Sequence, residues 1–464
     1  MRSLLTLLSL LLLPTAAHAD TARVQALGDA DLFTEDSSNA FTNPALMARY
    51  SNRAWFSLGV EVPALTPEGV ATTRISPLGG AAVRIKKVVT LGVVLNRDPQ
   101  LYGFGNALWP VMTQYMPQGP GGLLAGPAGP TETTAPLVFP LDVFIAAGDQ
   151  YSPLRVGLNL YYAGGNTRDW GIDDNDRDDL EDVTIVRKET HLFNATLGVS
   201  GGSIADRVRP EGWVRVGFAS AWHDEQGTVE TSSTASEPSV DRILSMDRDL
   251  RVGGGFRVHI GDADRGISVT PGFQYDFANG AFRFDDNLVN PDGPDELALR
   301  DVTAHDGRAG VGLTYRTDDL LVRGAVALRV RALSRTDDLD AGDDGIERFT
   351  FEGIDLAVPE ISLGAEYRVH PVVILRAGIR STVVGGRTIT TTKAAEGNPD
   401  APFEYDVVQR IDVAPVAATL SASGGIGLHI KRFQADLIVG SLFVGSATGT
   451  PDLFSRIDLA FDFD

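Results

Sequence analysis

The feature that most constrains this chain is an alternation of apolar and polar residues at a period of two. Across 320–331, Val322, Gly324, Val326, Leu328 and Val330 alternate with Arg323, Ala325, Ala327, Arg329 and Arg331. Across 360–369, Ile361, Leu363, Ala365, Tyr367 and Val369 alternate with Glu360, Ser362, Gly364, Glu366 and Arg368, and 455–463 behaves likewise. Alternation of this length gives a strand with one apolar and one polar face. The same reading places strands at 54–62, 78–86, 88–96, 140–148, 153–163, 190–200, 212–222, 250–260, 266–277, 307–316, 320–331, 359–369, 371–381, 419–430, 432–444 and 454–463. That makes sixteen. Fourteen stays open, because 78–96 or the 419–463 region can pair differently.

A soluble sandwich alternates too, so the connections decide. Short ones at 86–87, 148–152, 261–265, 317–319, 370 and 431, with a longer one at 201–211, alternate with long ones at 97–139, 164–189, 223–249, 278–306, 332–358 and 382–418. Tight turns on one side and long loops on the other fit an all-β transmembrane antiparallel barrel, and strands of this length match a tilted membrane crossing. Lipid requires an apolar outer face, closure leaves no unpaired strand edge, and a watery lumen accepts the charges. A secreted soluble β-protein would rarely carry Arg, Asp and Glu on the inward face of nearly every strand. Trp55, Tyr161, Tyr162, Trp213, Trp222, Phe273, Tyr275, Phe277 and Tyr315 lie near strand ends and suit interfacial girdles.

The N-terminus reads as an export signal: Arg2, a leucine-rich core over 3–13, Pro14, then Ala17-His18-Ala19, with cleavage before Asp20. Downstream no stretch approaches ~18 consecutive apolar residues, so helical spans are not expected. The formal charge is −21, from 61 acids and 40 bases, which argues against a nucleic-acid partner. With no cysteine, disulfides, thiolate metal sites and cysteine nucleophiles are excluded.

Residues 20–52 carry no strand period. They contain Leu27-Gly28-Asp29-Ala30, then Glu35-Asp36-Ser37-Ser38, then Asn43-Pro44-Ala45-Leu46 before the first strand. In that order these motifs resemble the opening of the FadL-type long-chain fatty acid transporters and their relatives, including PorV-like outer-membrane barrels. The resemblance implies an N-terminal hatch over 20–52, with Gly28 in its glycine motif and Asn43, Pro44 and Ala45 holding its turn. It also implies that apolar substrates enter at the outer loops and leave sideways through the wall after the hatch shifts. Pro44 fixes its own φ, pushes Asn43 into extended backbone, and leaves the Asn43 side chain able to cap a turn. A periplasmic tail leading into the first strand is the alternative. Two departures stand out. The chain ends Phe461-Asp462-Phe463-Asp464, which shifts the terminal aromatic read by barrel-insertion machinery by one residue. Sixteen strands also exceed the fourteen of the fatty acid transporters.

The loop 97–139 holds Leu101, Tyr102, Phe104, Leu108, Trp109, Val111, Met112, Tyr115 and Met116 among glycines and prolines. Tyr102, Phe104, Trp109, Met112 and Tyr115 are the candidates for capturing an apolar ligand by burial alone; a cap folded on itself is the alternative. Arg323, Arg329, Arg331, Glu360, Glu366, Arg368, Arg376 and Arg380 fall on polar registers, so they are expected to form a lumen network with cross-strand pairs such as Glu366 with Arg376. Two acidic runs, 169–182 and 337–347, have oxygen-rich spacing that suits Ca²⁺ or Mg²⁺, but no EF-hand register, and read as solvated loops. Gly198-Val199-Ser200-Gly201-Gly202 matches G-x-S-x-G without a strand-turn-helix context, and the scattered histidines lack metal-site spacing. No catalytic residue, metal or cofactor is nominated. The expected protein is a Gram-negative outer-membrane transporter of hydrophobic or amphipathic small molecules, in contact with lipid and lipopolysaccharide. A PorV-like partner-binding barrel and then a general diffusion porin are the alternatives.

Overall fold

Sixteen strands form where the alternation lies: β1 (Arg53–Val62), β2 (Arg74–Ile85), β3 (Val89–Leu95), β4 (Val138–Ala147), β5 (Leu154–Asp174), β6 (Glu181–Gly201), β7 (Val208–Thr231), β8 (Ala235–Gly261), β9 (Gly266–Asp286), β10 (Glu296–Arg316), β11 (Leu320–Asp340), β12 (Ile346–His370), β13 (Val373–Lys393), β14 (Val408–Ile430), β15 (Phe433–Val444) and β16 (Asp452–Asp462). The computed structural model describes residues 27, 31–33, 37–62, 74–85, 88–97, 138–149, 151–174, 181–203, 206–231, 235–262, 265–286, 296–340, 346–393, 408–444 and 452–463. Each strand pairs antiparallel with its sequence neighbours, and β1 pairs with β16, so the sheet closes into one transmembrane barrel. The count is sixteen because 74–95 and 408–462 supply two and three separate strands.

Register sets the two faces. In the β10–β11 pair, Arg308 stands opposite Arg329 and Val311 opposite Val326. Val326 is 56% exposed on the outer face, whereas Arg323 on the inner face is 2% exposed. Large apolar residues left open to the outside recur all round the wall, among them Val93, Leu197, Val214, Leu313, Leu363, Leu437 and Ile457. This inversion suits lipid outside and polar groups within.

The sequence expectation fails in three places. Strands β5 to β14 run to 21–27 residues, while β15, β16 and β1–β4 have 7–12. Much of the expected outer loops 164–189, 223–249, 278–306, 332–358 and 382–418 is therefore paired strand. A crossing needs only ~9–11 residues. Beyond the bilayer neither face meets lipid, so alternation fades while backbone pairing continues. The girdle also divides. Tyr162, Trp222, Phe273, Tyr275 and Tyr315 are exposed outside, but Trp55, Tyr161 and Trp213 are buried on the inward register. Tyr161 and Tyr162 are adjacent and so must point to opposite faces. The turn into β13 takes Pro371 and Val372, so that strand begins at Val373 rather than at 371.

The short turns are polar. Between β4 and β5, Asp149 accepts from the Ser152 hydroxyl at 3.0 Å and from the Tyr151 N–H at 2.9 Å, which holds its carboxyl below the ordinary range. Arg265 and Asp318 form an exposed pair between neighbouring turns, which lowers the Asp318 carboxyl.

Candidate functional site: the inner wall and the segment against it

The segment before β1 packs on the inner wall through short 3-10 turns at Asp31–Phe33, Ser37–Phe41 and Pro44–Ala48. Asn43 is extended, with φ −123° and ψ 98°, and caps the last turn by accepting from the Ala45 N–H at 3.2 Å. Its Nδ2 donates to the Val199 carbonyl at 3.1 Å. Pro44 occupies the first position of the turn, where a missing N–H costs nothing. Two paired glycines receive this turn: a Cβ at Gly157 would stand 2.3 Å from the Pro44 carbonyl carbon, and one at Gly198 2.0 Å from Asn43 Oδ1. The wall is notched where the backbone of the segment touches it. Gly198 thus has a packing role, and Ser200 beside it accepts from Arg155 at 2.9 Å. Gly28 lies outside the described residues.

Around that turn, Phe41, Leu46 and Met47 bury against Trp55, Leu78, Val94 and Phe144. Phe41 meets Phe144 edge-on at 5.7 Å. Arg97, just beyond β3, lies between the Phe41 and Tyr161 rings at 5.1 and 4.8 Å and forks onto Asp142 at 2.6 and 2.5 Å. Arg84 donates to the Ala48 carbonyl at 2.9 Å.

Farther back along the chain, Leu32 and Phe33 pack with Trp213, Ala325 and Ala327. A Cβ at Gly312 would stand 1.9 Å from the Phe33 carbonyl oxygen, and one at Gly364 2.5 Å from that of Leu27. Arg257 donates to the Leu32 carbonyl at 3.4 Å while pairing with Glu211 at 2.7 Å. His259 sits on the same carboxylate at 3.4 Å and meets the Thr270 hydroxyl at 3.0 Å. Arg308 lies over the Phe33 ring at 5.1 Å.

Four guanidiniums gather on two carboxylates across β10–β13. Arg329 pairs with Asp306 at 2.5 Å and Arg331 with the same carboxylate at 3.5 Å. Glu360 takes Arg308 at 2.9 Å and also Arg380. Asp355 stands opposite Arg331 in register. These arginines are partly open, Arg331 to 44%, whereas both carboxylates are 5% exposed. The accessible side of the cluster is therefore cationic. Arg376 is buried between Glu366, at 2.8 Å, and Asp436, and Glu366 faces it in register. Arg323 is buried on the inner wall, and Arg368 lies exposed on the inward register near the turns.

The sequence reading did not single out Arg97, Asp142, Glu211, Arg215, Arg257, His259, Asp276, Asp306, Arg308 or Asp436. The signal was present: those on strands occupy the inward register, and Arg215 pairs with Asp276 at 2.8 Å from two strands away. Tyr102, Phe104, Trp109, Met112 and Tyr115 lie outside the described residues. The acidic runs fall partly on strands β5, β6, β11 and β12 instead of wholly in loops. No group of three or more metal-ligating side chains occurs among the described residues.

No protein-family model matches the chain, and no curated protein sequence matches it. Among solved structures it is similar to the Ralstonia pickettii toluene transporter TbuX, with 12% identity over 98% of this chain and 100% of that one at a TM-score of 0.38. It is also similar to a Pseudomonas aeruginosa FadL homologue, with 15% identity over 97% and 99% of the two chains at 0.37. The translocator domain of the autotransporter NalP from Neisseria meningitidis aligns at 12% identity over 67% and 89%, at 0.26. At such identities the likeness is one of barrel architecture.

Proposed function

We propose that this barrel lies in the outer membrane of a Gram-negative bacterium and passes hydrophobic or amphipathic small molecules, of the fatty-acid or hydrocarbon class, through a lumen plugged by its N-terminal segment. One observation carries the reading: the arginine cluster of β10–β13 offers an accessible cationic face on the inner wall, beside the segment that packs there. The anionic head of an amphipathic molecule finds a partner there, despite a net charge of −21 on the whole chain. Tyr102, Phe104, Trp109, Met112 and Tyr115 are the proposed first contacts from outside, where apolar burial contributes ~25 cal/mol per Å².

The test is uptake by intact cells of a fluorescent fatty acid and of a neutral apolar probe. Replacing Arg329 and Arg380 by glutamine should slow the anionic probe more than the neutral one. Replacing Trp109 and Tyr115 by alanine should slow both. Uptake of both probes at the wild-type rate in all variants and in a full deletion would defeat the transport reading. Removing 20–52 should raise conductance in planar bilayers; unchanged conductance would defeat the plug. A partner-binding barrel is the second reading, favoured by the paired wall of β5–β14 that continues past the bilayer.

A further inference from the structure

Above the bilayer the outer face of the wall differs from strand to strand. A crossing takes ~9–11 residues. Past that height the outward positions turn polar on β5, β6 and β9–β11, as at Arg168, Arg187, Asn279, Thr303 and Ser334. Strands β12–β14 stay apolar there. Ile354 lies sixteen residues before the end of β12, and Val413 and Ile411 lie seventeen and nineteen before the end of β14. At ~3.3 Å rise and ~40° tilt these positions stand about 40–45 Å above the turns, beyond a ~25 Å apolar band and its lower interface. The short wall next door marks the same limit: Thr419 pairs with Val444 at the top of β15, and β14 runs on above it.

Register makes one patch of these residues. Ile354 faces Arg387 on β13, and Arg387 faces Val413. One row higher on the same face, Glu352 faces Ile389 and Ile389 faces Ile411; one row lower, Leu356 faces Gly385. Val413 is 73% exposed, Ile354 54%, Ile411 50% and Leu356 46%. So many open aliphatic side chains gathered outside the lipid call for a cover. Among them, Glu352 and Arg387 are diagonal neighbours, both exposed, and neither has a hydrogen-bond or ion-pair partner among the described residues.

We infer that this face of β12–β14 binds a second copy of the chain across a two-fold axis along the membrane normal. With the axis between β12 and β13, Glu352 meets Arg387 of the partner subunit, and Arg387 meets Glu352 of the partner subunit. One acid and one base thus serve both sides, which is the self-complementarity an isologous contact requires. A soluble partner would have to supply its own match, whereas a second barrel in the same membrane carries this patch at the same height. It also arrives with most of its rotational freedom already lost, so a modest patch suffices to hold it. Lower on the same face, Ala365, Ala377 and Gly424 stand in one row of small residues, which lets two walls approach within the bilayer.

The test uses the full-length chain, which has no cysteine of its own, in native outer membranes treated with a short bismaleimide. Ile354→Cys reports on the patch, and Asn166→Cys, outward and exposed on β5, is the control. Cross-linked dimer should form from position 354 and little from position 166. Adding E352R or R387E to Ile354→Cys should lower the yield about tenfold by setting like charges together. Mixing those two variants in one membrane should restore it, because each then offers the other an opposite charge; a salt bridge within one chain would not respond to mixing. Equal cross-linking at 354 and 166, an undiminished yield in both charge variants, no recovery on mixing, or linkage of position 354 to a different protein would overturn the inference. The comparison of 354 with 166 decides even if a charge variant does not fold. None of these residues faces the lumen, so failure here leaves the transport reading untouched, and probe uptake reports on that reading separately.

Discussion

Two stretches of the same N-terminal segment meet the wall in different ways. Pro44–Ala48 lies in an apolar cluster with Trp55, Val94 and Phe144, and its backbone drops into notches at Gly157 and Gly198. Asp31–Phe33 has a smaller apolar contact and leans on guanidiniums: Arg257 at the Leu32 carbonyl and Arg308 over the Phe33 ring. Apolar burial responds little to simple salt, whereas a charge contact at a partly open group such as Arg308 weakens with ionic strength and competes with any anion that enters. The two stretches should therefore release separately, the arginine-held one first. The chain has no cysteine, so a cysteine placed at Met47 or at Leu32 gives a unique label for each stretch.

The largest effect expected is at Arg97. Its replacement by alanine leaves the fully buried Asp142 without its bidentate partner and should cost about 3–5 kcal/mol in denaturant unfolding. It should also expose a label at position 47 more than one at 32. A cost below about 1 kcal/mol would mean that water or Asn159, which already donates to Asp142 at 2.9 Å, replaces the pair. Gly198→Val comes next. Its side chain would run into Asn43 and Pro44, costing about 1–3 kcal/mol and freeing the 44–48 turn, with labelling at 47 and conductance as readouts. If position 47 stays protected, the glycine notch does not hold the turn. Asn43→Ala should cost about 1 kcal/mol by loss of the cap, seen as faster labelling at 47. Arg308→Met removes a cation–ring contact worth about 0.5–1 kcal/mol, leaves Glu360 to Arg380, and should speed labelling at 32 only. Equal acceleration at both positions would show one cooperative segment rather than two.

The smallest effect belongs to the turns. The Asp149 carboxyl is held below its ordinary range, so the stability it contributes is present above the unfolded pKa and is lost as pH falls through the lower folded value. Asp149→Asn should flatten the acid limb of the unfolding curve slightly. An unchanged limb would show that solvent screens the Ser152 and Tyr151 contacts.

The barrel itself was legible in the residues. Val322 to Arg331 cannot be read at any period but two, and a strand so patterned exposes one apolar face, which lipid can cover and water cannot. Short and long connections in alternation, together with the lack of any helical span, pointed to an antiparallel sheet that closes, and β1 pairing with β16 closes it. The inward direction of Arg323, Arg329 and Arg376 followed from the same period. Their partners did not. Glu360 joins Arg308 to Arg380 from strands on either side, a choice made by shear and side-chain reach that no single strand encodes. Likewise Gly157 and Gly198, 41 positions apart in the chain, are only two ordinary strand glycines until pairing sets them side by side under Pro44. The height of β5–β14 also emerged only in three dimensions, because above the bilayer both faces meet water and the period that marks a strand disappears while its backbone still pairs. Sequence determined what each face of the wall must be. Tertiary structure decided which residues meet across it, since register, closure and contact between distant strands are properties of the assembled sheet.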